Sequence, residues 1–362
     1  MQRRQFLGSL GATSAAVWAG WPSFARAGEA APAGWRTFEL ITSVQPLEPS
    51  GVTRVWVPLP LMFDTDYQRR RGDHWSGNAR QIHMHREKKY GAGMVYAEWA
   101  AREAAPTLEV VSRVVTRDRS VDPQRPGPRE SKESAARLKL YLEPTRLIPT
   151  DGIVKETARR ITQDRRSEVD KARALYEWVV ENCFRDPKVR GCGRGDIKAM
   201  LETHSFGGKC ADINALFVGL ARASGLPARE VYGVRAAESK EFKSLGRSGD
   251  VSKAQHCRAE FYAEPQGWIP VDPADVRKVA LEEPPAERTL ADPLVQRARE
   301  KLFGGWEMNY VAYNCAHDVA LPGAAGEPLP FLMYPQGETA AGRKDPLEPP
   351  AFKYTITARE IV

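Results

Sequence analysis

The stretch Gly207-Gly208-Lys209-Cys210-Ala211-Asp212 places a thiol where a glycine pair gives way to a long apolar-faced segment. Ile213, Leu216, Phe217 and Leu220 recur at helical spacing, flanked by Asp212 and Arg222, and Gly225-Leu226-Pro227 closes the run. A helix beginning at Cys210 would surround its sulfur with free backbone N–H groups and partial positive charge. Both favour thiolate over thiol. Cys210 is therefore the candidate nucleophile.

The segments on either side supply partners. Upstream, Ile153 to Arg165 and Val169 to Phe184 carry apolar residues at helical spacing, and the loop Gly191-Cys192-Gly193-Arg194-Gly195 leads to a short helix at Asp196 to Glu202. Downstream, strands are expected at Arg229 to Val234, Gln255 to Ala263 and Trp268 to Val271. Helices followed by a run of strands is the order of an α+β fold. His256 lies in the second strand and Asp272 ends the third. A turn near Glu264-Pro265 would set these two residues opposite one another, whereas a turn centred on Pro265-Gln266 would shift the pairing. Thiolate, imidazole and carboxylate suffice for acyl transfer: one attacks, one moves the proton and one fixes the tautomer.

The same residues carry a resemblance. Gly207 to Asp212, with Ala215-Leu216-Phe217 and Leu220-Ala221-Arg222-Ala223-Ser224-Gly225-Leu226-Pro227-Ala228-Arg229, resembles the core of the transglutaminase-like superfamily. His256-Cys257-Arg258-Ala259-Glu260 and Gly267-Trp268-Ile269-Pro270-Val271-Asp272-Pro273 are similar to that family's His and Asp motifs, in the family's order, over residues 150–280. The resemblance implies a papain-like core in which Cys210, His256 and Asp272 form a triad. It also implies a thioester at Cys210 made from an amide or peptide bond of a peptide or protein substrate. Water resolving the thioester makes a peptidase or amidase; an amine makes a cross-linking transglutaminase. A binding or adaptor protein on the same fold is the alternative from another class, and its Cys210 would be unreactive. Beside the Cys210 N–H, Asn182 and Trp178 are the candidate second donors of an oxyanion hole. Trp268 and Glu260 are expected to be packing and scaffold residues.

The remaining chain divides by composition. Residues 34–117 alternate apolar and polar positions, as in Phe38, Leu40, Thr42 and Val44, and suggest a β-sandwich-like N-terminal domain. Residues 118–149 include the Pro-rich run Asp122 to Pro128 and suggest a linker, residues 150–281 the catalytic core, and residues 282–362 an extension whose Phe352-Lys353-Tyr354-Thr355-Ile356 alternates like a strand. Residues 1–27 combine Arg3-Arg4, a short apolar run and Ala25-Arg26-Ala27. That pattern is an export leader similar to the bacterial twin-arginine signal, so a periplasmic protein is expected.

Removing the leader leaves 50 bases against 46 acids, a net +4 in place of +7. So small an excess, with the Arg69-Arg70-Arg71 cluster lacking interleaved aromatics, argues against nucleic acid. No later run is long enough to span a membrane. A periplasmic protein partner stays open for the N-terminal strands.

Five cysteines in an exported chain fit one free thiol and two disulfides. With Cys210 free, Cys183, Cys192, Cys257 and Cys315 allow three connectivities, Cys183–Cys192 being the closest pair and Cys257–Cys315 the remainder; four unpaired thiols are equally open. Cys192, between glycines, is a rival nucleophile without a His or Asp motif of its own. His83 and His85, with His74 and Asp73 nearby, are a metal fragment short of the three or four ligands a zinc site needs, and His204 and His317 have no supporting pattern. No carboxylate-rich loop offers calcium a site, and no cofactor is expected.

Overall fold

In a computed structural model, residues 33–126 and 133–361 are described, and they belong to one compact unit. The leader expected at 1–27 lies outside the described residues. Among the described residues no helix is long and apolar enough to cross a membrane.

The helix Cys210–Ala223 is the centre of the core, with every residue from Cys210 to Arg222 buried. One side meets the helices Gly152–Thr162 and Glu168–Asn182, the latter started by Ser167, whose hydroxyl accepts from the Asp170 N–H. The other side meets a four-stranded antiparallel sheet in the order Gly267–Val271, Gln255–Ala263, Ala228–Arg235, Tyr310–Asn314. Its far face is covered in turn by Tyr67, Tyr141 and Trp306. Covered on both faces, these strands are buried along their whole length, which explains why they lack the clean alternation of a half-exposed strand.

The N-terminal strands form a sandwich of two five-stranded sheets, but not by themselves. The terminal strand Phe352–Ile361 pairs with Arg36–Pro46, Leu40 opposite Ala358, and Gln336–Thr339 pairs with Thr53–Pro58. Val44, Leu108 and Phe352 from one sheet meet Val55, Val95 and Trp99 from the other. The alternation of the last strand announced its conformation; its partner is decided only by this closure.

The segment read as a linker also packs. Arg119–Ser120 pairs with Gly305–Trp306, Ala135–Leu140 is a short helix, and Tyr141 is buried. Apolar packing of Tyr141 with Trp268 contributes, and so does an electrostatic tie. Glu260 has no exposure at all, and the guanidiniums of Arg119 and Arg229 close on its two oxygens, Arg229 Nε at 2.6 Å. Arg119 also donates to the Trp268 carbonyl at 2.8 Å, and Arg229 lies 3.9 Å over the Trp268 ring. The scaffold expectation for Glu260 and Trp268 thus takes a specific form: one buried acid ties the 118–149 segment to the core sheet.

Burial alone would raise the Glu260 pKa, but Arg229 and Arg119 outweigh it and hold it below the usual range. Its contribution to stability is therefore present above the unfolded carboxyl pKa and is lost as pH falls through the folded one. Glu260→Gln, which leaves two buried guanidiniums short of a counter-charge, is expected to lower stability by about 3–5 kcal/mol. Urea unfolding at neutral pH measures it; a loss of under about 1 kcal/mol would place Glu260 among ordinary surface-like pairs.

Candidate active site

Cys210 is the first residue of its helix and is 4 % exposed. The preceding turn is strapped by one carboxylate: Asp212 accepts from the Lys209 N–H at 3.0 Å and from the Arg194 and Gly195 N–H groups at 2.9 Å each. The Ala211 N–H donates to the Cys192 carbonyl at 2.9 Å, which lays the glycine loop alongside the nucleophile. Gly193 has φ +96°, and a Cβ there would stand 1.8 Å from an Asp212 oxygen. Only glycine fits both demands.

His256 and Asp272 converge on the same point by a route that differs from the expected register. The observed pairs are Ala259 with Val271, Glu260 with Pro270 and Ala263 with Gly267, two residues away from a direct His256–Asp272 pairing. The cause is a turn of three residues centred on Pro265, after which Gly267 takes φ +84°. The strand ends at Val271, and Asp272 becomes the N-cap of the helix Pro273–Glu282. From there its side chain reaches diagonally, and His256 Nε2 donates to Asp272 Oδ2 at 2.8 Å.

The other Asp272 oxygen is also filled. Oδ1 accepts from Asn214 Nδ2 at 3.1 Å and from the Asp275 N–H at 3.1 Å. Asn214 donates besides to the Cys257 carbonyl at 2.8 Å. A second carboxylate, Asp275, stands 3.4 Å from His256 Nε2 and takes Arg235 at 2.6 Å. With Nε2 committed to carboxylate, Nδ1 is the nitrogen left to serve Cys210, which lines the same cleft. Asn214 and Asp275 were missed in the sequence, although each carries a positional signal. Asn214 follows Cys210 by one helical turn on the same face, and Asp275 follows Asp272 in the first turn of a helix started by Asp-Pro.

The charges favour an ion pair. Hydrogen bonds from the Cys192 and Cys257 thiols, then from His256, pull the Cys210 thiol well below its ordinary value against the effect of burial. Cys192 is pushed well up by that same hydrogen bond to Cys210 and by burial, and Cys257 by burial and its bond to Cys210. Burial and Arg235 act to lower His256, but Asp275 and Asp272 prevail and lift it to about 9. Thiolate and imidazolium thus coexist near neutrality.

Other candidate residues fall elsewhere. Asn182 is exposed and donates to the Trp178 carbonyl of its own helix at 2.8 Å, and the Trp178 ring packs on Phe206. Neither is on the wall of the cleft, although the strand that follows them, Phe184–Arg185, pairs with Gly207–Gly208 just ahead of Cys210. All five cysteines are free thiols, one of the two outcomes the sequence left open, and the Cys192 thiol donates to the Gln255 carbonyl at 3.4 Å. Cys192 is a neighbour of the nucleophile instead of its rival. Asp73 pairs with Arg70, and His83 packs on Tyr96. The one trio of metal-ligand type among the described residues is His256, Asp272 and Asp275, and its acids already face Arg235 and Arg258.

Above Cys210 and His256 lies a cavity of about 590 Å³. Cys192 and Gln255 flank its floor, and Tyr334, Leu347, Phe352 and Tyr354 wall it from the C-terminal extension.

The pH dependence follows from the two shifts. Alkylation of Cys210 should already be fast well below the ordinary thiol pKa of about 8.5, and any acyl transfer should decline above about 9, where His256 loses the proton that a leaving amine needs. The same raised His256 contributes stability that is complete below the unfolded histidine value of about 6.5 and is lost as pH rises through about 9. Iodoacetamide kinetics with mass-spectrometric mapping of Cys210 across pH checks the thiol; an alkylation midpoint near 8.5 would contradict the ion pair.

Residues 155–273 match the transglutaminase-like superfamily core. An uncharacterized protein of Haemophilus influenzae is 36% identical over 343 residues, covering 90% of each chain. Among solved structures, one from Cytophaga hutchinsonii, described as a candidate cysteine protease, is similar with a TM-score of 0.50 and 15% identity, over 90% of this chain and 98% of that one. The periplasmic domain of TgpA from Pseudomonas aeruginosa is similar over 72% of this chain and 98% of that one, at 15% identity and a TM-score of 0.36. At 15% identity the likeness to the Cytophaga hutchinsonii structure concerns the fold. With the sequence match, the full-length relative and the expected mixed helix and antiparallel-sheet core, the chain belongs to the transglutaminase-like superfamily.

Proposed function

We propose that this protein is an exported, cysteine-dependent acyl-transfer enzyme of the periplasm that hydrolyses amide or peptide bonds through a thioester at Cys210. The observation that carries the reading is a single imidazole that donates to Asp272 at 2.8 Å and lines, together with Cys210, one accessible cleft. Periplasmic residence rests on the leader at residues 1–27.

The chemistry follows from that arrangement. The Cys210 thiolate attacks the substrate carbonyl carbon, and the Cys210 N–H at the helix start is placed to receive charge on the oxygen. His256 gives its Nδ1 proton to the leaving nitrogen as the C–N bond breaks, leaving a thioester. Water then adds, its proton passes to His256, the C–S bond breaks and a carboxylic acid leaves. Asp272, held by Asn214 and the Asp275 N–H, keeps the ring oriented throughout. Hydrolysis is preferred to cross-linking because the cleft wall includes Lys209, Lys253 and Lys278, which would repel the protonated side chain of an acceptor lysine.

Against a panel of peptides and amine acceptors, Cys210→Ala should lose turnover by about 10⁴-fold or more, and Asp272→Asn by about 10²–10⁴-fold. Intact-mass measurement should find a substrate acyl group on Cys210 in the wild type. Full turnover by Cys210→Ala would sink the catalytic assignment and leave a binding protein on the same fold.

A further inference from the structure

The charge of the cleft is uneven. Arg185, Arg190, Lys209, Arg247, Lys253 and Lys278 line it, and among the described residues Glu282 is the one acid on its wall. Some of these cations are matched: Arg190 meets Asp345 and Glu348, Arg185 meets Glu282, and Asp250 lies close to Arg247 and Lys253. Arg235, deeper, is held by Asp275. Lys209 and Lys278 keep the excess. The Lys278 side chain is only 18 % exposed, and its ammonium stands 3.7 Å from a Glu282 carboxylate that Arg185 already occupies. Burial and the nearby Arg235 lower its pKa to about 8, as happens to an ammonium whose counter-charge is insufficient.

The thiolate alone does not account for so many cations. Its foremost stabilisers are the Cys192 and Cys257 thiols and His256, while Arg247 and Lys253 stand on the exposed side of the cleft. A cation left partly desolvated and under-paired beside a nucleophile is completed by an anion on the ligand. Resting on the acyl-transfer reading above, the geometry points to an acidic peptide as the substrate, with a carboxylate beside the scissile bond held by Lys278 and Lys209 and further acidic groups met by Arg247 and Lys253. The carboxylate is supplied either by an Asp or Glu side chain or by a free peptide C-terminus.

Two alkylating reagents that differ in one group test this. Iodoacetate carries a carboxylate, iodoacetamide does not, and the ratio of their rates at Cys210 reports the charge a ligand meets there. Relative to N-acetylcysteine measured in parallel, the full-length protein should favour iodoacetate by about tenfold at low salt. The preference should shrink with added salt, in Lys278→Met, and in Arg247→Gln/Lys253→Gln, whose altered side chains are exposed and leave the core intact. A ratio equal to or below that of the free thiol overturns the acidic-substrate inference while leaving the cysteine enzyme standing. If neither reagent labels Cys210, the acyl-transfer reading falls, and binding decides the charge question. Blocked peptides alternating Ala with Glu should then bind more tightly than their Gln counterparts; equal binding overturns the inference. An all-Ala peptide with a free C-terminus, compared with its amide, shows which source of carboxylate the cleft prefers.

Discussion

Asp272 has no access to water, and the structure around the cleft follows from keeping its charge. A buried carboxylate without partners would take up a proton and lose its hold on His256. Here both oxygens are filled, one by the imidazole and one by Asn214 and a helix-starting N–H. Each donor comes from a different element, so the nucleophile helix, the His256 strand and the helix Pro273–Glu282 must meet at one point. Their packing is fixed by a polar contact as much as by the apolar core that surrounds it.

The same economy appears one layer out. Asp275 turns to Arg235, and Glu260 draws in Arg119 from a segment far from it in sequence. Buried ion pairs of this kind add little net stability over a well-packed apolar alternative, but losing one partner is costly. They act as registration marks. A strand displaced by two residues would leave Glu260 facing no guanidinium, which penalises misregistration more sharply than the apolar pattern of these fully buried strands does.

How much of this was legible depended on whether a residue's role was local. Cys210 at a helix start, His256 on a strand and the α+β order come from short-range patterns, and the family motifs carry them together. The exact hairpin register was not local in that sense, since the placement of one turn residue decided it. Neither was the partner of Phe352–Ile361, chosen by a sandwich whose other strands begin three hundred residues earlier in rough count. The cysteine count left two disulfides and four unpaired thiols equally open. In space, Cys192 and Cys257 converge on the third thiol, because a glycine loop strapped by Asp212 and a central strand both end beside Cys210. The amide of Asn182, at the end of its helix, is satisfied one turn back, a local contact that a sequence pattern does not show.

Net charge is the clearest case of a sum hiding its parts. The chain without its leader carries only four more bases than acids, and that figure alone argues against an electrostatic role. Yet the interaction between a ligand and a protein depends on where charge lies within about a Debye length, roughly 8–10 Å in physiological salt. Across most of the surface, acids and bases alternate and cancel, as in Arg36 with Glu360 or Arg54 with Glu98. In the cleft they cancel only in part: from the C-terminal segment Asp345 and Glu348 meet Arg190, while its other contributions to the wall are aromatic and apolar. Tyr334, Leu347, Phe352 and Tyr354 bring no carboxylate to answer Lys209 and Lys278. A small global excess is thereby concentrated beside the nucleophile by the way the end of the chain folds back across it.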